Sequence, residues 1–506
     1  MAPTLTEVLG SGVLAFLGYQ WFTFQRDRRK VAHIPTLGSD WFILSYFSAW
    51  KFIFKGHFIF QEGYQKFKGL AYKIPTHTTE SRWLVVVSGL EMVEDLRKAS
   101  PEVLSFRGAS ADLLQTEHTM PTNYNSTAFH IPIIRSQMTR AFPNRFGDLT
   151  EEIRSSVADW IDAGSDWKTF PLHKTLVHVV CRTTNRLFVD LPLCRNPEYL
   201  KIQESWTTQV GISANLLNTM PAWFRPILAK LLVPMHASER KARKILTPVI
   251  QERLQKYAQF GDDWEGKPND LITWLIESAP VESRNVKEIT IKVMLTNFAS
   301  IHTTSLTATN ALFDLAIRPE YVEPLRAEIE EVIGAHGWTK EAMGHLVKLD
   351  SFMKESSRLA GISVFAMRRK AMQDFVFTNG LVVPQGVTVC VSSGSMQTDD
   401  EYYEDANSFK GFRYYEKREK ITDELDSLQH QMVSLDPTYM LFGYGRMAPG
   451  RFFAVNEVKA ILAHLLLHYD FKVPGDANKV PDPIWFGGIR NCNPNAQVLI
   501  KKREVN

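Results

Sequence analysis

Long stretches with a helical hydrophobic period dominate this chain beyond about residue 130, and they limit its fold more than any other feature. They occupy 150–162, 171–188, 239–258, 287–317, 319–334 and 451–468. In each, apolar residues recur at the spacing that lines one face of an α-helix. Residues 41–72 are aromatic-rich with the same period, whereas strand-like runs are short: 84–87, 373–377, 387–392 and 497–501. Many long helices with few short strands predict a mostly α (α+β) fold with small β-sheets. A length of 506 residues would by itself suggest more than one domain. Yet no Gly/Ser-rich or Pro-rich linker interrupts the interior, and no repeat of roughly 20–50 residues recurs. With 31 Phe, 12 Trp and 15 Met to fill a core, we expect one large helical domain over residues 26–506.

Basic and acidic residues nearly balance, 58 against 55, which excludes the strong positive field of a nucleic-acid binder. Cys181, Cys194, Cys390 and Cys492 are scattered, with no CxxC pair and no zinc spacing. That density does not make a disulfide scaffold and points to a reducing compartment. At the N-terminus, Leu9–Phe24 is apolar and aromatic and is followed by Arg26-Asp27-Arg28-Arg29-Lys30. This order reads as a signal anchor over residues 1–25 with the following domain on the cytosolic side. The stretch is short of the ~20 residues of a full span, so it must borrow from Leu5–Val8 or lie partly in the interface. No small-residue cleavage site follows, which argues against a removed secretory peptide. Ile34-Pro35-Thr36-Leu37-Gly38 then makes a stiff turn into the domain.

Three segments carry chemistry. Phe298-Ala299-Ser300-Ile301-His302-Thr303-Thr304 lies in the middle of a long apolar helix. Small and hydroxyl residues are poor helix formers there, so we expect a local distortion that opens room beside a carbonyl. Glu355 and Arg358, three residues apart, share a helix face and can pair. With Arg413 as a third member, the carboxylate would sit in a desolvated, two-arginine network. Finally, Phe442-Gly443-Tyr444-Gly445-Arg446-Met447-Ala448-Pro449-Gly450-Arg451 is a Gly-rich loop aimed at a helix N-terminus, with Pro449 expected in the first helical turn. Such an end favours an anionic ligand.

These segments, in this order, resemble the cytochrome P-450 superfamily over essentially the whole chain. The flavour is that of fungal members related to ent-kaurene oxidases and other terpenoid hydroxylases of secondary metabolism. The resemblance implies a haem-dependent monooxygenase acting on a lipophilic, terpenoid intermediate, with haem b as cofactor. It implies an NADPH-dependent flavoprotein reductase as electron donor and a single-pass endoplasmic-reticulum membrane protein with a cytosolic catalytic domain. It assigns Thr303, with His302 beside it, to oxygen activation and proton delivery, and Glu355, Arg358 and Arg413 to a structural triad. Arg135, Arg369, Phe442 and Arg446 become cofactor contacts, with Arg140 and Arg368 nearby as further propionate candidates. Phe298, Val364 and Phe365 become walls of the substrate pocket.

The loop departs from the family pattern in one respect. Ala448 is followed directly by Pro449, where relatives place a cysteine between the two, and Met447 stands where a basic residue usually meets a propionate. The metal-ligand assignment is therefore none. A thiolate pushes electron density onto haem iron and favours O–O cleavage; a thioether does not. Cys390 is the remaining cysteine with the best chance of substituting. Three readings stay open: a monooxygenase whose coding sequence has lost one codon, an isomerase or cyclase that uses the pocket without oxygen chemistry, and a non-catalytic binding protein.

Overall fold

The computed structural model describes residues 5–120, 128–232, 235–434, 436–445, 447–476 and 479–504. Two N-terminal helices, α1 (Leu5–Lys30) and α2 (Phe42–Lys66), lead into a five-stranded sheet. Its strands are β1 (Ala71–Pro75), β2 (Trp83–Val87), β3 (Leu104–Ser105), β4 (Ala366–Ala371) and β5 (Thr388–Val391), in the order β1-β2-β5-β4-β3. β2 and β5 run parallel, with Val86 opposite Cys390, and the other pairs are antiparallel. β1 and β2 are buried along their full length, which suits an unbroken Trp-Leu-Val-Val-Val run rather than an alternating one. A terminal hairpin pairs Ile484–Phe486 with Ile489–Asn491.

The helical bulk follows a π-helical turn, Ile134–Met138. It comprises α3 (Thr139–Trp160), α4 (Leu172–Phe188), α5 (Pro197–Asn218), α6 (Met235–Phe260), α7 (Val286–Ile317), α8 (Val322–His336), α9 (Lys340–His345), α10 (Val347–Leu359) and α11 (Arg451–His468). Helix α7 is the axis of the molecule, packed by α4, α5, α6, α10 and α11. A helix apolar all round belongs in the interior, and α7 and α11 are both largely buried. The helical patterns read from sequence coincide with these elements, except that α3 begins 11 residues before the expected 150.

The expected boundary at residue 25 falls inside α1, which runs on to Lys30. Phe24 of α1 is buried against Phe42 and Trp83, at ring separations of 5.4 and 6.0 Å. Among the described residues no helix is long and apolar enough to cross a membrane. The apolar part of α1 stops at Phe24 and is interrupted by Gln20, leaving less than the ~20 residues a span requires. The single-pass anchor is therefore not supported. Instead α1 and α2 expose Leu17, Trp21, Phe22, Ile43, Phe47, Phe54 and Phe58.

Candidate active site

One face of α7 borders a cavity through Thr296, Ala299, Ser300, Thr303, Thr304 and Thr307. Residues three and four apart on a helix share a face, so this spacing turns a row of hydroxyls and small groups to one side. The expected distortion is absent: α7 is regular throughout, and its hydroxyls are satisfied by its own backbone. Thr296 Oγ1 donates to Lys292 O at 2.8 Å, Thr303 Oγ1 to Ala299 O at 2.8 Å, and Thr307 Oγ1 to Thr303 O at 3.0 Å. On the cavity-facing side Thr304 is the exception: its hydroxyl, like that of Thr290 nearer the start of the helix, is buried with no partner among the described residues. Sequence reading passed over it because Thr303 held the motif position.

The opposite wall is Phe442, Ala448, Pro449, Gly450 and the start of α11, with Ile134 and Met138 of the π turn. Gly443 and Gly445 both take positive φ, 82° and 80°, which lets the loop double back until Ala448 N donates to Phe442 O at 3.0 Å. A Cβ at Gly445 would collide with Arg97 Cγ. Pro449 stands before the N-cap, Gly450, rather than in the first turn, and α11 begins at Arg451.

A second cavity shares Ile362, Leu441, Phe442, Ala448 and Pro449 with the first, so the two adjoin. Arg135, Arg368 and Arg369 line it. Arg368 donates through Nη2 to Thr78 O at 2.6 Å, while its buried Nε has no partner among the described residues. Burial pushes this guanidinium below its ordinary value, which marks a cation short of a counter-charge. Arg369 Nη1 donates to Arg368 O at 2.8 Å, and its guanidinium lies 5.3 Å from the Phe106 ring centroid. Arg135 is exposed at the cavity edge; Arg140 is exposed on α3 and lines neither cavity. Arg446 lies outside the described residues.

The result is an apolar slot with hydroxyls along one wall and arginines at one end. That is the complement of a flat apolar macrocycle carrying carboxylates on one edge. Sequence comparison agrees with this shape: the Cytochrome P450 family model matches residues 44–500.

The chain belongs to the cytochrome P450 family.

It is 38% identical over 499 residues to cytochrome P450 monooxygenases 71 and 110 of Postia placenta, covering 97% of this chain and of each relative. A cytochrome P450 monooxygenase of Ganoderma lucidum is 29% identical over 495 residues, 97% of this chain and 95% of the relative. The family implies haem, a redox partner and a lipophilic substrate. In this P450 chain the slot and the unpartnered Nε of Arg368 fit the macrocycle and its carboxylates. The iron ligand does not fit: the sulfur in the two linings belongs to Met138, Met367, Met432, Met440 and Met447, all thioethers.

No cysteine replaces the missing one. Cys390 sits mid-strand in β5, fully buried with Phe52, Phe60 and Tyr72, and burial pushes its thiol up to about 12. Cys181 and Cys194 are buried, and Cys492 Sγ lies 3.9 Å from Asn310 Oδ1. None of the four lines either cavity.

The other expected site residues divide. Glu355, Arg358 and Arg413 come together as a buried network. Phe442 lines both cavities and Phe365 the second. Phe298 instead packs edge-on against Trp206 of α5, at 5.5 Å, and Val364 is held between Gly394 and Gly488 through backbone bonds of 2.9 and 3.0 Å. His302 does not line the first cavity; its Nε2 donates to Glu204 O at 2.8 Å. Burial lowers its pKa, against the pull of Glu204, and the Nε2 bond commits the ring to α5.

Proposed function

We propose that this chain is built as a haem b-dependent monooxygenase of a lipophilic, terpenoid-type secondary-metabolite intermediate. The observation that carries the reading is the slot between α7 and the Phe442–Gly450 loop, apolar along its length and cationic at the Arg368 end. Haem iron held by a thiolate supplies the oxygen-activating chemistry in this family. The chain's own residues would bind and orient the macrocycle: Arg368 and Arg369 would hold the carboxylates, and Phe442 would supply apolar contact. Thr303 lines the cavity, its hydroxyl donating to Ala299 O and still able to accept a hydrogen bond. Oxygenation requires a cysteine between Ala448 and Pro449, so the reading attaches to the slot completed by that residue.

The test compares the chain as it stands with one carrying that cysteine, each supplied with a flavoprotein reductase, NADPH and a terpenoid panel. A product heavier by one oxygen from the completed chain supports the reading. Products of unchanged mass from both would replace it with isomerisation or cyclisation, where orientation supplies the acceleration.

We further propose an endoplasmic-reticulum address with the catalytic domain in the cytosol, near the reductase. Seating in the membrane surface suits the exposed aromatic rows of α1 and α2 better than a span does. Phe16 of α1 meets Trp223 at 6.0 Å, which joins these rows to exposed Ile227 and Leu231.

A further inference from the structure

Helix α8 ends on His336, and Gly337 turns the chain at a φ of 65°. Thr339 then caps α9, its Oγ1 accepting from Ala342 N at 3.1 Å. Glu341 and His345 stand four residues apart on α9 and so share a face. The His336 and His345 rings stack, with centroids 4.5 Å and planes 14° apart. One donor atom from each of His336, Glu341 and His345 lies within 4.8 Å of the others, and all three residues are exposed. None of them lines either cavity.

The backbone beneath these donors is anchored. Ala342 and Met343 are fully buried, and Met343 O accepts from Lys459 Nζ of α11 at 3.0 Å. Trp338 packs 6.3 Å from His464 of the same helix. Exposed donors on a fixed corner lose little backbone freedom when they are brought onto an ion.

We infer that His336, Glu341 and His345 bind a zinc-type divalent cation, with water completing the shell. Two imidazoles and one carboxylate are donors zinc accepts, whereas calcium and magnesium select oxygen-rich shells. Zinc–nitrogen bonds of about 2.0–2.1 Å place two donors of one ion roughly 3.4 Å apart, within the 4.8 Å that bounds these three. Rotation of exposed side chains supplies that without moving the helices: the stack opens and each ring turns a lone pair to the ion. The bound cation ties the last turn of α8 to α9 and adds a coordinate link to a corner held by Gly337–Thr339 and the His336–His345 stack.

The test uses the full chain, stripped with a chelator, free of any histidine tag and titrated with zinc chloride by calorimetry. One saturable equivalent is expected. The H336A/H345A variant should bind it more weakly by more than the roughly 10–100-fold that loss of an outer-shell partner costs. Zinc should also raise the thermal midpoint of the parent and leave that of the variant unmoved. Equal stoichiometry and affinity in the variant, no saturable binding in the parent, or magnesium binding as tightly as zinc would each overturn the site.

Discussion

Arg358 grips Glu355 through two parallel bonds, Nε to Oε2 and Nη2 to Oε1, both 2.8 Å long, and neither side chain has any exposed surface. Arg413 Nε adds 3.2 Å bonds to both oxygens, and Lys410 N a 3.0 Å bond to Oε1. The third Arg358 nitrogen, Nη1, donates to Gln397 O and Ala406 O at 2.5 and 2.6 Å. The network thus sews α10 to the segment that precedes the Phe442 loop.

Removing the carboxylate strands two guanidinium groups in the interior. Glu355→Ala should cost about 3–5 kcal/mol, the range for breaking a buried pair from one side. Urea unfolding of the variant checks this, with yield of soluble protein as a second readout. A loss under about 1 kcal/mol, as for a surface pair, would mean the network is not what holds these segments.

As it stands, the reduced, carbon monoxide-treated protein should show no thiolate-type Soret band. Inserting a cysteine between Ala448 and Pro449 should restore one, because α7 and the Arg368 end are already in place. A thiolate-type band without the insertion would require one of the buried cysteines to reach the slot, against their positions in β5, α4 and the loops.

Arg368→Gln keeps the bond to Thr78 within reach but removes the charge. If Arg368 meets a carboxylate of the macrocycle, haem titrated into the variant should bind about tenfold or more weakly, the worth of one charge-assisted bond. Binding equal to the parent, with the Arg140→Gln control also unchanged, would remove Arg368 from the cofactor site.

Glu457 of α11 is fully buried, and burial pushes it up to about 8, against the hydroxyls of Thr183 and Thr184. From its ordinary 4.5 up to about 8, the folded state keeps a proton that the unfolded chain has released. Its share of stability therefore falls as pH rises through that window, by about 1.4 kcal/mol per unit at most. Half-buried His173 and buried His464, both pushed down to about 4, tilt the curve the other way, since their stabilisation is lost as pH falls toward that value. The difference between parent and Glu457→Gln isolates the glutamate: the gap in unfolding free energy should change from pH 5 to 8. Parallel curves would refute the assignment.

Phe47 and Phe54 lie seven residues apart on the exposed face of α2. Replacing both with Glu should lower partition onto anionic vesicles roughly tenfold or more, given the worth of burying an aromatic ring. Cosedimentation reads this directly, and no change would move membrane contact elsewhere.

Much of this was legible in the residues, and the misses have physical causes. The period over 287–317 locates α7 because a helix packed on several sides carries apolar residues along its whole length. Helix α5 escaped, although Asn196 as cap and Pro197 at the first position mark its start. Strand β4 reads Ala-Met-Arg-Arg-Lys-Ala, with no alternation; pairing with β3 and β5 makes it a strand. Spacing suggested Glu355 with Arg358, but nothing local says that Arg413 closes on them from 58 residues away. His302 illustrates the same limit. Its type and position resemble a proton relay, yet Glu204 O, 98 residues earlier in the chain, takes its N–H.

The way the Gly-rich loop is held decides what a change of length does to it. Upstream of Ala448 it cannot slide, because Gly445 is pressed on Arg97 and Ala448 N is closed on Phe442 O. Downstream it cannot slide either, because Gly450 opens α11 and Phe453 is already in the core. With both abutments fixed, an added residue has to bow at Ala448–Pro449 into the cavity beside it, by at most about 3.5 Å. Competence for oxygen chemistry can therefore be gained or lost here as a step in length, with the rest of the molecule left standing.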